Sequence, residues 1–259
     1  MTSLGLLLPA IRPIAHASST RKRMLFLVSL LFVVSFQSER PLAARTITFS
    51  GLVWDVRAGS GNPGNQCWTD SPARVWVDSS DQLHLRLQPI GGQWCSVQVT
   101  AQTNARHGTH EFRVISRLDL LDPDVVLGMY LYKDDSNEID IEITDSFSPS
   151  SYRGWYAVQP STAASRTSFP ITMAGTYSTH SFDWQTSDIR FASWHGHCAE
   201  PCGGLVHSWT YNGLNNPNES LNLRPNINLW INGSNPATAQ EVIIASYSGS
   251  LEPDTLEQH

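Results

Sequence analysis

The stretch that decides the fold is Asn137-Glu138-Ile139-Asp140-Ile141-Glu142-Ile143, in which acidic and isoleucine side chains alternate strictly. A period of two is typical of a β-strand with two different faces, because successive side chains point to opposite sides. The isoleucines are therefore expected to enter a core, while Glu138, Asp140 and Glu142 share the opposite face. Three like charges on one face repel one another, and strain of this kind is tolerated at functional sites.

The spacing of these carboxylates defines the chemistry open to them. At about 3.4 Å per residue, the Cα atoms of Glu138 and Glu142 lie roughly 13–14 Å apart. Two glutamates that lean toward one ligand bring their carboxyls to roughly 5–6 Å, which favours the ~5–5.5 Å separation of retaining glycosidases over the ~6.5–9.5 Å of inverting ones. Asp140 is placed to hydrogen-bond Glu138 and to keep Glu142 protonated. A calcium-binding or merely solvated acidic strand is the alternative.

Short β-type runs follow one another from Thr46 onward, separated by Gly, Pro, Asn, Asp and Ser, without a long amphipathic stretch of helical period. The runs that we predict to be strands are Thr46–Val53, Arg74–Val77, Leu83–Leu87, Ser96–Thr100, Gly108–Arg117, Val125–Tyr132, Glu138–Ile143, Trp155–Gln159, Ser178–Trp184, Ile189–His195, Leu205–Thr210, Asn226–Ile231 and Glu241–Ser248. This pattern predicts a two-sheet sandwich or jelly roll in one domain. The polar stretch Pro160–Phe169 is predicted to be a loop.

A targeting segment precedes the strands. The basic run Arg21–Arg23 is followed by an apolar core of 13 residues, Met24–Phe36, and by the small-residue run Leu42–Ala44. These features are typical of a secretory signal peptide, here residues 1–44 with cleavage after Ala44. The apolar core is shorter than the roughly 20 residues of a spanning helix. Because the region before it is long, an early start codon or an uncleaved membrane anchor is the alternative to a secreted, extracellular protein.

Cysteine content agrees with export, since the four cysteines of an exported chain are expected to be paired. Four cysteines allow three pairings. We favour one pair that ties two early strands and one that closes a tight loop: Cys67 with Cys95, and Cys198 with Cys202. A zinc site is the alternative for the second pair, because His195 and His197 stand beside it at ligand-like spacing.

Charge is unevenly distributed along the chain of 259 residues, whose formal net charge is −6. Residues 45–259 contain 12 basic and 22 acidic side chains, so this part carries −10, with Lys133 as its only lysine. A surface of that sign lacks the basic stripe that would replace the counterions of a phosphate backbone. Nucleic-acid binding is therefore excluded. The absence of Gly-x-Ser-x-Gly and of a glycine-rich phosphate loop disfavours a serine hydrolase and a nucleotide-binding protein.

The acidic strand resembles the active-site strand of glycoside hydrolase family 16, whose pattern is Glu-x-Asp-x-(x)-Glu, in its shorter form. Other segments are similar to that family in the same order: His107–Val114, Val126–Tyr132, Thr179–Trp184 and Ile227–Gly233. The matches span about Val53 to Ser248. The chain departs from the family after Ile189, where many members have an aromatic strand ending in Asp-Gly and this one has Phe191–Cys198. That departure concerns the far end of the cleft and the choice of substrate.

This resemblance implies an all-β fold, a concanavalin A-like β-jelly roll of two antiparallel sheets with a substrate cleft across one of them. It implies that Glu138 is the nucleophile, Asp140 the assisting acid and Glu142 the general acid/base. It also implies substrate-binding residues, with core packing as the alternative for the aromatic ones: Tyr130, Tyr132, Trp184, Asn228 and Trp230. In bacterial lichenases of the family a disulfide joins positions similar to Cys67 and Cys95, which supports that pair.

The function that follows is retaining endo-hydrolysis of a β-linked, β-glucan-like polysaccharide through a glycosyl-Glu138 intermediate. Residues 45–259 are expected to form the single catalytic domain of a monomer. Transglycosylation at the same site and a non-catalytic, lectin-like carbohydrate-binding domain are the alternatives. No cofactor is required, and although many family members bind a structural calcium on the convex side, no residue here is assigned to a metal.

Overall fold

Most of the apolar and alternating runs are strands in the computed structural model, which describes residues 45–63, 66–147, 153–197 and 204–253. Two short 3-10 helices, Leu118–Leu120 and Glu219–Leu221, interrupt them. The strands formed by the described residues are β1 Thr46–Phe49, β2 Leu52–Val56, β3 Gly59–Gly61, β4 Gln66–Trp68, β5 Val75–Val77, β6 Leu83–Leu87, β7 Val97–Ala101, β8 Ala105–Ile115, β9 Val125–Asp134, β10 Asn137–Ile143, β11 Gly154–Val158, β12 Arg166–Phe169, β13 Tyr177–Trp184, β14 Ile189–His195, β15 Leu205–Tyr211, β16 Arg224–Ile231 and β17 Gln240–Leu251.

These strands form two large antiparallel sheets. An eight-stranded sheet has the order β1-β2-β7-β16-β9-β10-β11-β12, and a seven-stranded sheet has the order β15-β14-β13-β8-β17-β6-β5. Strands β3 and β4 make a separate two-stranded ribbon. The described residues all fall within one compact unit, Ala43–His259. The prediction of an all-β sandwich of two antiparallel sheets is confirmed.

The core lies between the two large sheets. Ile139, Ile141 and Ile143 of β10 are completely buried and belong to the same apolar cluster as Phe112 and Phe182 of the other sheet. Burial of an aliphatic side chain of this size stabilises the fold by about 1.5–3 kcal/mol. Because the isoleucines take the inner face of β10, the three acidic side chains must lie on its outer face.

The strand limits differ from the sequence prediction at several places, and the short strands β3 and β4 were not predicted. Two of the differences have a clear physical reason. Thr46–Val53 is divided into β1 and β2, because Ser50 (φ 51°) and Gly51 (φ 74°) adopt the left-handed conformation of a two-residue hairpin turn. The predicted loop Pro160–Phe169 ends in strand β12, which pairs with β11 at the sheet edge and buries the ring of Phe169. A polar edge strand has little periodic signal, and this one was therefore missed.

The disulfide between Cys67 and Cys95 is present, with a Cα–Cα distance of 4.7 Å, as predicted. It joins β4 to the segment that leads into β7. Cys198 and Cys202 lie outside the described residues, and so does the segment 1–44, so the second disulfide and the signal peptide stay predictions. Within the part of the chain that the structure describes, we find no helix whose length and hydrophobicity would suit a membrane span.

Candidate active site

The acidic strand β10 lies between β9 and β11 in the eight-stranded sheet. Its register on β9 places Glu138 opposite Tyr132, Asp140 opposite Tyr130, and Glu142 opposite Gly128. Directly paired residues of antiparallel strands point to the same face, so these side chains meet on the outer face of the sheet. They line a cleft of about 720 Å³ whose described lining residues are Arg57, Asn62, Pro63, Gln98, Tyr130, Tyr132, Asp135, Glu138, Asp140, Glu142, Gln159, Asn228 and Trp230.

The three acids are poorly solvated for carboxyl groups. Asp140 is only 5% exposed, and Glu138 and Glu142 are half-buried. Burial, with repulsion from Glu142 and Asp135, raises the pKa of Glu138 to about 8. Burial also raises the pKa of Glu142 to about 7, and burial with repulsion from both glutamates raises the pKa of Asp140 well above its usual range. The site therefore holds protons near neutral pH that free carboxyl groups would release.

A side-chain hydrogen bond joins Asp140 to Glu142, rather than to Glu138 as the sequence suggested. This bond raises the pKa of Asp140 and lowers that of Glu142, as expected when a protonated Asp140 donates to Glu142. Asp140 Oδ1 is buried and has no hydrogen-bond partner among the described residues. The middle acid thus has an unused acceptor beside both glutamates.

Asn228 of β16 holds the neighbouring tyrosine in place. Its Nδ2 donates to the Tyr130 hydroxyl at 3.1 Å, and its Oδ1 accepts a hydrogen bond from Gly128 N at 3.1 Å. A Cβ atom at Gly128 would come within 2.5 Å of Asn228 Oδ1, so the close approach requires glycine there. Both Asn228 and Tyr130 line the cleft.

Two further aromatic residues of the predicted set also lie at the cleft. The hydroxyl of Tyr132 donates to Asp135 Oδ1 at 2.9 Å, and its ring meets Tyr130 edge-on at 6.2 Å. Trp230 packs against Trp68 and Val126 on the same side of the sheet and lines the cleft with a small exposed surface. Four of the five predicted substrate-binding residues are therefore brought together with the acids: Tyr130, Tyr132, Asn228 and Trp230.

Trp184 lies elsewhere, which corrects its placement beside the cleft. It belongs to β13 of the seven-stranded sheet and is completely buried in the core between the sheets. Its Nε1 donates to Asn216 Oδ1 at 3.1 Å and to the Pro217 carbonyl at 3.2 Å, and its ring contacts His107 edge-on. Alternation along β13 places Trp184 on the same inner face as Phe182, so core packing, the alternative, applies.

Sequence reasoning missed the cleft residues that come from other strands and from loops. Gln98 of β7 could have been predicted from the sequence to face the cleft, because it alternates with the buried Val97 and Val99. In the structure it pairs with Asn228. Arg57 follows β2 without any periodic signal, and its contribution depends on the pairing of β2 with β7. The other missed lining residues are Asn62, Pro63, Asp135 and Gln159.

The zinc alternative concerned the two histidines at the end of β14, His195 and His197. His195 is the last residue of β14, whereas His197 lies beyond the strand and its Nε2 hydrogen-bonds the carbonyl of Val114 at 2.8 Å. The two cysteines of that alternative are outside the described residues. Among the residues that are described, no group of three or more His, Cys, Asp or Glu side chains is arranged to hold a metal ion.

The fold and the acidic cleft together define a class: β-sandwich proteins with the architecture of β-glucanases. A β-glucanase of Bacillus licheniformis has a TM-score of 0.58 at 19% identity, over 77% of this chain and 92% of that one. A β-1,3-glucanase from Mycobacterium marinum has a TM-score of 0.55 at 18% identity, over 74% and 88%. An immunostimulatory antigen and pseudo β-1,3-glucanase of Mycobacterium tuberculosis has a TM-score of 0.55 at 22% identity, over 76% and 91%.

At these identities the similarity shows the fold, and the resemblance found in the sequence is confirmed at that level. No protein-family model matches the chain, and no curated protein matches its sequence.

Proposed function

We propose that this protein is a retaining glycoside hydrolase that cleaves a β-linked, glucan-like polysaccharide within the chain. The observation that carries the proposal is the group of three carboxyl groups on one strand, one buried and two half-buried, aligned along a cleft that also presents tyrosine and tryptophan side chains. Removing three neighbouring acids from water destabilises a protein, so such a cluster beside a cleft indicates a functional site. The fold shared with β-glucanases supports the same substrate class.

In the proposed reaction Glu138 attacks the anomeric carbon while Glu142 donates its proton to the departing oxygen. Glu142 then takes a proton from water, and that water attacks the anomeric carbon and releases Glu138. The proposal requires the proton of this coupled pair to reside on Glu142; repulsion from an ionised Glu142 is one cause of the raised pKa of Glu138, and that repulsion disappears when Glu142 holds the proton. Asp140 positions the pair through its hydrogen bond to Glu142. Two carboxyls and water supply every step, so the proposal includes no cofactor.

Replacement of the nucleophile is the direct test. Glu138→Gln keeps the shape of the side chain and removes the attacking carboxylate, so hydrolysis of β-glucan is expected to fall by about 10⁴-fold or more. Release of reducing ends from mixed-linkage β-glucan, β-1,3-glucan, xyloglucan and galactan measures the activity and identifies the glycan. Product anomers followed by proton NMR test retention, which requires the β-anomer to appear first.

A matched control is Glu111→Gln, because Glu111 is a strand glutamate of the seven-stranded sheet, away from the carboxylate cleft. It is expected to retain the activity of the unmodified protein. Full activity of Glu138→Gln with an unchanged unfolding midpoint would overturn the mechanism. An α-anomer as the first product would replace retention with inversion.

Binding without cleavage is the second candidate function, since one protein of this fold is described as a pseudo β-1,3-glucanase. A lectin-like domain would bind oligosaccharides in calorimetry and release no reducing ends from any glycan of the panel. Transglycosylation would instead give products longer than the substrate when acceptor oligosaccharide is added. Secretion is part of the proposal, since the disulfide between Cys67 and Cys95 persists best in an oxidising compartment.

A further inference from the structure

A single positive charge is found among the described residues that line the carboxylate cleft, and it belongs to Arg57. Arg57 directly follows β2, and its Nη1 donates to Gln98 Oε1 at 2.9 Å. Strand register separates Gln98 from the acids, because Gln98 pairs with Asn228, Asn228 with Gly128, and Gly128 with Glu142. Three strand spacings amount to roughly 14 Å. Gln98, the hydrogen-bond partner of Arg57, therefore lies three strands away from Glu142 in the sheet.

The guanidinium group of Arg57 is held in place by contacts on several sides. Its central carbon lies 4.0 Å from the centre of the Trp68 ring, a cation–π contact, and Nη2 donates to the carbonyl of Asn62 at 2.8 Å. Trp68 is itself buried and donates through Nε1 to the Gly61 carbonyl at 3.0 Å. The disulfide at Cys67 anchors the adjacent residue. We call Arg57, Trp68, Gln98 and Asn62 the Arg57 subsite.

No acidic side chain compensates this charge. None of the ion pairs among the described residues includes Arg57. Burial lowers the pKa of Arg57, although arginine remains charged at neutral pH. A partly desolvated cation of this kind gains free energy when an anionic ligand binds it.

Free donors give the subsite its selectivity. Arginine has five N–H donors, and the hydrogen bonds to Gln98 and Asn62 use two of them within the described part of the chain. Because the indole of Trp68 is covered by the guanidinium on one face, a sugar at this position meets a charged donor group there rather than an apolar ring. The planar guanidinium can donate two parallel hydrogen bonds to a pair of oxygen atoms, which is the geometry of a carboxylate or a sulfate.

We propose that the Arg57 subsite binds a sugar residue bearing a carboxylate or sulfate group, so that the preferred substrate is a β-linked glycan with anionic substituents. This rests on the proposed function and names its substrate class more narrowly. The sugars beside Glu138, Asp140 and Glu142 carry no charge, because those acids disfavour an anion next to them. The negative net charge of the protein likewise favours a glycan with scattered anionic groups over a uniformly charged polymer.

The test compares oligosaccharides of one linkage and length in three forms, which are neutral, carboxylate-bearing and sulfate-bearing. The unmodified protein is expected to show kcat/KM at least about tenfold higher for one of the anionic forms than for the neutral form, which corresponds to about 1.4 kcal/mol. Arg57→Gln removes the charge and should abolish that ratio. Arg57→Lys keeps the charge and should preserve part of it. Whichever anionic form is preferred identifies the substituent.

Arg190→Gln is the matched control, since Arg190 is an exposed arginine of the seven-stranded sheet, and it should leave the ratio unchanged. A neutral form cleaved as fast as both anionic forms would overturn the subsite, and so would an equal loss of all three activities in Arg57→Gln with normal unfolding. If no form is cleaved by the unmodified protein, the proposed function fails. Calorimetry of the same three ligands with unmodified protein and with Arg57→Gln then tests the subsite separately. Equal affinity of the unmodified protein for the neutral and both anionic forms would refute the subsite.

Discussion

Two regions of this sandwich bury ionisable side chains, and they treat them in opposite ways. Between the sheets, His180 bonds Ser193 Oγ through Nδ1 at 2.8 Å and Ser178 Oγ through Nε2 at 3.0 Å, so both ring nitrogens have partners. On β10, Asp140 keeps a buried oxygen without a partner among the described residues. Every polar atom of the His180 ring is therefore used within the core, whereas one oxygen of Asp140 can still accept a hydrogen bond from a ligand or bind a proton.

The pKa shifts separate the regions further. Burial lowers the pKa of His180 to about 3 and that of His110 to about 4, so both are neutral under ordinary conditions. Burial raises the pKa of Glu138 to about 8 and that of Glu142 to about 7. A neutral histidine enclosed by hydroxyls stabilises the fold and has no access to substrate. Carboxyl groups that titrate near pH 7 beside a cleft are suited to proton transfer.

The strongest test of this contrast is a pair of substitutions with opposite expected results. Asp140→Asn keeps the side-chain shape and removes the acid that positions Glu142, so kcat is expected to fall by about 10²-fold. Unfolding in urea should need more denaturant, because a costly buried acid is gone. His180→Leu should lower the free energy of unfolding by about 1–3 kcal/mol, since two serine hydroxyls lose their partner. Its activity should persist at temperatures where it is folded.

Either result reversed would break the contrast. A destabilised Asp140→Asn with full activity would make the acids structural. An inactive but stable His180→Leu would place the core histidine in the function.

A second, smaller effect is the pH dependence of stability. A histidine whose folded pKa is lowered gives stability that is present above its ordinary pKa of 6.5 and is lost as pH falls toward 4 and 3. A glutamate whose folded pKa is raised gives stability that is present below 4.5 and is lost as pH rises toward 7 and 8. The free energy of unfolding should therefore decline above pH 6.5, where only the glutamates act, and below pH 4.5, where only the histidines act. Between these pH values the two effects oppose each other.

Substitutions test which groups cause the loss of stability at high pH and which cause it at low pH. Glu138→Gln is expected to flatten the decline in stability between pH 6.5 and 8, because the folded protein then no longer holds a proton at this position that the unfolded chain releases. The decline below pH 4.5 should not change. His180→Leu is expected to flatten the decline below pH 4.5 alone. Urea unfolding at half-unit intervals of pH measures both slopes. If Glu138→Gln changes the decline below pH 4.5 instead, the carboxyl group does not titrate as described.

The sequence predicted β10 well because its two faces differ in chemistry at every position. Alternation alone placed Ile139 in the core and Asp140 in the cleft, as observed. The cleft placement of Trp184 failed because it came from the family resemblance and not from alternation, and an aromatic side chain suits both a core and a sugar-binding groove. Arg57 escaped prediction for another reason: its place in the cleft depends on the pairing of β2 with β7, which is separated in sequence by about forty residues. Local pattern gives the face of a strand, and long-range pairing gives its neighbours.

The smallest effect that we predict concerns Gly128, which lies opposite Glu142 on β9. Gly128→Ala places a Cβ atom within 2.5 Å of Asn228 Oδ1, so Asn228 must move and its hydrogen bond to the Tyr130 hydroxyl is weakened. We expect kcat/KM to fall by about tenfold, which is about 1.4 kcal/mol, through a higher KM. Steady-state kinetics on the best glycan of the panel measures it.

Gly175→Ala is the matched control, because nothing lies within 4 Å of a Cβ atom at that position and its activity should not change. If Gly128→Ala also leaves KM unchanged, Asn228 and Tyr130 only support the sheet, and the substrate-binding face of the cleft narrows to the acids, Trp230 and the Arg57 subsite. If KM rises as expected, the close packing of β9 on β16 is part of substrate recognition. In that case the absence of a side chain at Gly128 leaves the space in which the Asn228 amide bonds the Tyr130 hydroxyl beside the carboxyl groups.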